Sequence, residues 1–110
     1  MPTRCSYGLI GRPLGHSFSP RYFSELFDRL GIDASYDSYE LQRIEELPEL
    51  LATHPSLRGL NVTLPYKREV LHYVDACSPE VERLQAANVL CIERTPSGYP
   101  YITAHNTDVW

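Results

Sequence analysis

What most limits how this chain can fold is a switch of hydrophobic period, from strand-like to helix-like, that recurs three times between residues 7 and 74. Tyr7-Gly8-Leu9-Ile10-Gly11 is a short apolar run closed by glycine and reads as a first, central strand. Tyr22, Phe23, Leu26, Phe27 and Leu30 then fall at helical spacing, with Ser19-Pro20 suited to the cap and first turn and Gly31 to the stop. Residues 34–41 alternate aromatic and polar, as a half-exposed strand nearer an edge does. Ile44, Leu47, Leu50 and Leu51 make an amphipathic helix that must end before Pro55. Leu57, Leu60 and Val62 form a third strand, and Tyr66, Val70, Leu71 and Val74 a third helix with Pro65 near its start.

Strand and helix in alternation are the sign of a largely parallel sheet with covering helices and right-handed crossovers. The second half departs from it. Ser78-Pro79-Glu80 opens a short helix, with Ser78 as cap and acidic residues in the first turn. Residues 88–93 and 99–103 are β-rich and joined through Pro96-Ser97-Gly98, which predicts a hairpin and a mixed sheet at that end. The expected fold is α/β, a three-layer sandwich with a mostly parallel mixed sheet between helices.

At 110 residues the chain has enough length for one core, and 43% hydrophobic with 22% charged residues is ordinary globular composition. A formal net charge of −4, with no basic run, argues against nucleic acid or an anionic membrane as partner. Cys5, Cys77 and Cys91 cannot all pair and form no C-x-x-C, so they read as small buried hydrophobes in a reducing compartment, with no metal site. There is no apolar stretch of spanning length and no signal-like start, which makes a cytoplasmic protein the expectation.

Two stretches carry polar groups where such a sheet presents ligands, beyond the carboxyl ends of its strands. Asn61, Thr63 and Lys67 lie where the third strand hands over to the third helix, and suit a pocket rim. Ser17 and Ser19 bring hydroxyls and a helix start to the same end, a combination that favours a carboxylate or phosphate. The same residues also suit plain turn and cap roles, and on spacing alone those roles are the favoured reading. The chain finishes on a fresh polar motif, His105-Asn106-Thr107-Asp108, followed by Trp110, which reads as a cut inside a longer protein at the start of a further helix.

Four blocks in register narrow this further. Gly11-Arg12-Pro13-Leu14-Gly15-His16-Ser17-Phe18-Ser19-Pro20, Asn61-Val62-Thr63-Leu64-Pro65-Tyr66-Lys67, Ala86-Ala87-Asn88 and Asn106-Thr107-Asp108 resemble, in order, the signature of the shikimate dehydrogenase family, over nearly the whole chain. The resemblance implies the N-terminal, substrate-binding and catalytic domain over residues 1–104, with 105–110 beginning the link to a missing Rossmann domain. It implies reduction of 3-dehydroshikimate to shikimate with NADPH. Residue by residue, it makes Lys67 and Asp108 catalytic. It gives the substrate carboxylate to Ser17 and Ser19, and the ring hydroxyls to Asn61, Thr63 and Asn88, with Thr107 as a further candidate. His16 and His105 stay outside the catalytic set.

Departures from the family pattern are Phe23-Ser24 for its His-Asn, Gln85-Ala86-Ala87-Asn88-Val89 for its Gly-Ala-x-Asn-Thr, and Ala104-His105 before Asn106. No G-x-G-x-x-G occurs, so a cofactor site is not expected in this chain and turnover by it alone is not expected either. Two other readings stand beside this one: a free-standing, non-catalytic shikimate- or quinate-binding module, and a quinate/shikimate dehydrogenase using NAD. Exposed Tyr36, Tyr39 or Tyr101 on an edge strand would point to a homodimer.

Overall fold

The structure, a computed structural model, describes residues 5–14 and 19–107. Six strands form one sheet: β1 (Cys5–Gly11), β2 (Ala34–Glu40), β3 (Leu57–Val62), β4 (Ala76–Cys77), β5 (Val89–Arg94) and β6 (Pro100–His105), in the spatial order β2-β1-β3-β5-β6-β4. β1 is parallel to both β2 and β3, β5 is antiparallel to β3 and β6, and β4 is parallel to β6. This is the mixed, mostly parallel sheet that the alternation and the hairpin signal predict. The half-exposed pattern of 34–41 does mark an edge strand, and β1 lies inside the sheet with a neighbour on each side.

Helix α1 (Ser19–Leu30) ends as its sequence requires. Gly31 takes a φ of 69°, its N–H bonds the Asp28 carbonyl at 3.2 Å, and the Ile32 N–H reaches back to Phe27 at 2.9 Å. These are the paired bonds of a Schellman cap, in which glycine bears the left-handed residue without a Cβ clash. α2 (Leu47–Thr53) follows a 3-10 turn at Ile44–Glu46, and α3 (Pro79–Leu84) is capped by Ser78 Oγ, which accepts the Val81 N–H at 3.4 Å.

The helices lie on both faces, because the crossover from β1 to β2 and the one from β2 back past β1 to β3 run in opposite directions. On one face Ile10, Leu60, Val62, Leu90, Ile92 and Ile102 pack with Leu47, Leu50 and Leu51 of α2 and Val81 of α3. On the other, Leu9 and Tyr36 pack against Phe23 and Phe27 of α1. Period two along the strands separates Leu9 from Ile10 and sends each to its own core.

Two elements differ from the sequence expectation. The third helix is not an α-helix from Pro65: residues 63–66 form a turn, and only Glu69–Tyr73 coil, as a 3-10 helix. The cause lies just downstream. Asp75 already docks on β6, its N–H on the Ile102 carbonyl at 2.8 Å and its carboxylate accepting the Ile102 N–H at 2.7 Å, so the chain has room for only a short coil. β4 itself is two residues long, below what periodicity can signal. Of the three tyrosines considered for pairing, Tyr36 is buried, Tyr39 packs edge-on to His54, and Tyr101 is exposed on β6.

Candidate functional site

Strands β1, β3 and β6 point the same way, so their carboxyl ends share one border of the sheet with the start of β5. β1 is also where the order reverses: the chain leaves it toward β2 on one side, whereas β3 and everything after it lie on the other. Ligands of open α/β sheets bind at such a point.

The loops leaving β1 and β3 are tied together at their roots. The Thr63 N–H donates to the Ile10 carbonyl at 3.0 Å and the Arg12 N–H to the Leu64 carbonyl at 3.1 Å. Gly11 is required for this closeness, because a Cβ there would stand 2.4 Å from Thr63 Cγ2 and 3.0 Å from the Leu64 carbonyl oxygen. Farther on, the Leu14 N–H bonds Glu40 Oε1 at 2.7 Å, which pins the β1 loop to the end of β2.

Beyond Thr63 the chain turns, with Tyr66 N–H on the Thr63 carbonyl at 3.1 Å and a cis Leu64–Pro65 peptide. Tyr66 is buried and its hydroxyl donates to the Leu41 carbonyl. That anchor leaves the next residue, Lys67, half-buried at the rim, while Leu64 is 71% exposed beside it.

Main-chain bonds then draw in the other motif segments. Ala87 N–H donates to the Lys67 carbonyl at 2.8 Å, Val62 N–H to the Asn88 carbonyl at 2.8 Å, and Asn88 N–H to the His105 carbonyl at 3.1 Å. The Asn88 carboxamide clamps Thr107, accepting its N–H at 3.0 Å and donating to its hydroxyl at 2.9 Å. Asn106 donates to the Ala86 carbonyl at 3.0 Å.

Thr63, Lys67, Asn88 and Thr107 therefore converge on one border of the sheet. Asn61 lies just before it, on the face that α1 covers, in a groove of about 410 Å³ with largely apolar walls. Its Oδ1 accepts the Tyr36 hydroxyl at 2.7 Å. Tyr36 in turn stacks on Phe23 at 4.7 Å between ring centres, and burial pushes its hydroxyl up to about 12. Ser19 is the first residue of α1; its side chain, with Ser17, His16 and Asp108, falls outside the described residues.

Two contributors escaped the sequence reading. Gly11 was read as the end of a strand and the first residue of a motif block, and its packing on Thr63, which depends on register, was not foreseen. Tyr36 looked like one ring of an alternating strand, and its bond to Asn61 joins residues 25 apart.

The loop after β1 does not fit the pyrophosphate of a dinucleotide. Its first glycine faces Thr63 and Leu14 instead of open space, and the residues after it are Arg12-Pro13-Leu14 rather than a glycine-rich turn.

Residues 9–90 match the family model described as the shikimate dehydrogenase substrate binding domain. The chain belongs to this family. It is 41% identical over 104 residues to a shikimate dehydrogenase (NADP(+)) of Natronomonas pharaonis, covering 93% of this chain and 36% of that protein. Among solved structures, it is similar to the dehydroquinate dehydratase and shikimate dehydrogenase from S. pombe AroM, with a TM-score of 0.87, 30% identity, and coverage of 97% of this chain and 20% of that one. It is also similar to a shikimate 5-dehydrogenase from Thermus thermophilus in complex with shikimate, with a TM-score of 0.78, 31% identity, and coverage of 94% and 38%. The chain thus spans little more than a third of the length of the curated relatives it matches. Among the described residues, no helix is long and apolar enough to cross a membrane.

Proposed function

We propose that this chain is the substrate-binding half of an NADP-dependent dehydrogenase that interconverts 3-dehydroshikimate and shikimate. The observation that carries the reading is the set of main-chain bonds placing Thr63, Lys67 and the Asn88–Thr107 clamp together where the strand order reverses. The substrate is a ring with one carboxylate and several hydroxyls. Its carboxylate suits Ser17 and Ser19 at the start of α1, where free N–H groups and the helix dipole favour an anion. Thr63, Asn61 and Asn88 supply neutral donors and acceptors for the hydroxyls.

Reducing a ketone builds negative charge on its oxygen, and a cation or proton donor placed there lowers the barrier. Lys67 takes that role. In the reverse direction its neutral amine accepts the alcohol proton, and Asp108, next to the clamped Thr107, orients the amine and bonds the neighbouring hydroxyl. The cofactor, NADPH, belongs to the length that the relatives carry beyond the span of this chain, so the chain alone binds substrate without turnover.

The test is a nitrogen-15 NMR titration of this chain with shikimate. Amides of Thr63, Lys67, Asn88 and Thr107 should move together at millimolar ligand, while Gly98, at the far end of the sheet, stays still. A well-dispersed spectrum that shikimate leaves unchanged, or shifts confined to the 95–99 turn, would refute the proposal.

A further inference from the structure

Asn61 poses a question that its position alone does not answer: what decides which end of its carboxamide faces a ligand. The side chain sits on the α1 face near the carboxyl end of β3, half-buried. A carboxamide can rotate by half a turn, presenting either an acceptor oxygen or two N–H donors, and only its partners choose. Here the choice is made by one group. The Tyr36 hydroxyl donates to Asn61 Oδ1 at 2.7 Å, and Asn61 Nδ2 has no hydrogen-bond partner among the described residues.

We propose that Tyr36 is a positioning residue, which holds the Asn61 carboxamide with its oxygen inward and its two N–H donors free for an acceptor oxygen of a polyhydroxylated carboxylate ligand. This rests on the function proposed above.

Three observations support the assignment. Tyr36 is 5% exposed and fixed by its stack on Phe23, so its hydroxyl is aimed by packing and not by the ligand. The hydroxyl stays protonated throughout the physiological range, because burial raises it to about 12, so it remains able to donate. And Tyr36, Phe23 and Asn61 line one groove of about 410 Å³, so the carboxamide borders space that a ligand can enter. A preset donor pair spares the ligand the cost of turning the amide on binding.

Tyr36→Phe removes the hydroxyl and keeps the ring that stacks on Phe23. In this chain the Asn61 side-chain amide signals should move, with little change in melting temperature. The shikimate Kd should rise about five- to tenfold, as expected for one neutral hydrogen bond. Asn61→Ala should raise Kd at least as much, and Tyr36→Phe in that background should add nothing, because the hydroxyl acts only through Asn61. An unchanged Kd in Tyr36→Phe, or a full additional loss in the double variant, would overturn the proposal. If the unaltered chain fails to bind shikimate, the functional reading falls; the Asn61 side-chain signals still decide the orientation, and their indifference to Tyr36→Phe overturns it separately.

Discussion

Replacing Gly11 with alanine tests the packing on which the site depends. The new Cβ would lie 2.4 Å from Thr63 Cγ2, 3.0 Å from the Leu64 carbonyl oxygen and 3.2 Å from Leu14 Cδ2. Carbon atoms in good contact stand about 3.5–4.0 Å apart, so Thr63 must retreat by more than ~1 Å. Neither partner is free to move, because Thr63 N–H is bonded to Ile10 and Arg12 N–H to Leu64. Overpacking of this kind costs about 1–3 kcal/mol. Against it stands a gain of about 0.4–1 kcal/mol from the stiffer unfolded chain. The net is a loss of about 1–2 kcal/mol, or roughly 5–10 °C in Tm for a domain of this size. Urea unfolding of this chain measures it, and Thr63→Ser sharpens the test. Removing Cγ2 deletes the worst contact and leaves the one with Leu64, so the double variant should recover about half the loss, a coupling of about 0.5–1 kcal/mol. Gly11→Ala as stable as the parent, or a loss that Thr63→Ser does not touch, would refute the reasoning.

Lys67→Ala, in a protein spanning the relatives' full length, should lower kcat by about two to four orders of magnitude with KM little changed, since proton transfer and not binding is removed. The Lys67 carbonyl keeps its bond from Ala87, so folding should be intact, and a variant with near-normal kcat in a steady-state assay would defeat the assignment. Gln85 closes α3 at a φ of 56°, a left-handed conformation that costs a residue with a Cβ about 1 kcal/mol. Gln85→Gly should therefore raise the urea midpoint slightly, a gain in stability of up to about 0.5 kcal/mol once the looser unfolded chain is counted; a lower midpoint would contradict it.

Most of the architecture could be read from the sequence because each element announces itself locally. Ser19-Pro20 and Gly31 bracket α1, Ser78-Pro79 opens α3, and Gly98 at a φ of 85° turns the hairpin. The convergence of Thr63, Lys67 and Asn88 was foreseen through motif order and the carboxyl-end rule. What stayed hidden depends on long-range register. Helical spacing after Pro65 was a sound local signal, and it was overridden by the docking of Asp75 on β6, which no window around Val70 contains. Asn61 was expected at the site for its type, but its orientation is set by Tyr36 from an edge strand. Asn88 was read as a ligand contact, and the structure shows a task that the residue type does not reveal, holding Thr107 at both of its polar ends.

The bonds among Val62, Lys67, Ala87, Asn88 and His105 that join the motif segments all run between peptide groups. A tie of that kind is indifferent to which side chain the residue carries. It explains how this chain can hold His105 where its family pattern differs without losing the joint: the position contributes through its peptide carbonyl, and its side chain is left open to drift. Substitution tolerance around the pocket should thus follow the chain's own course: His105, which joins through its carbonyl, exchanges for other residues, whereas the fully buried Ala87 accepts only residues of similar bulk and excludes proline, because its peptide N–H is the joint.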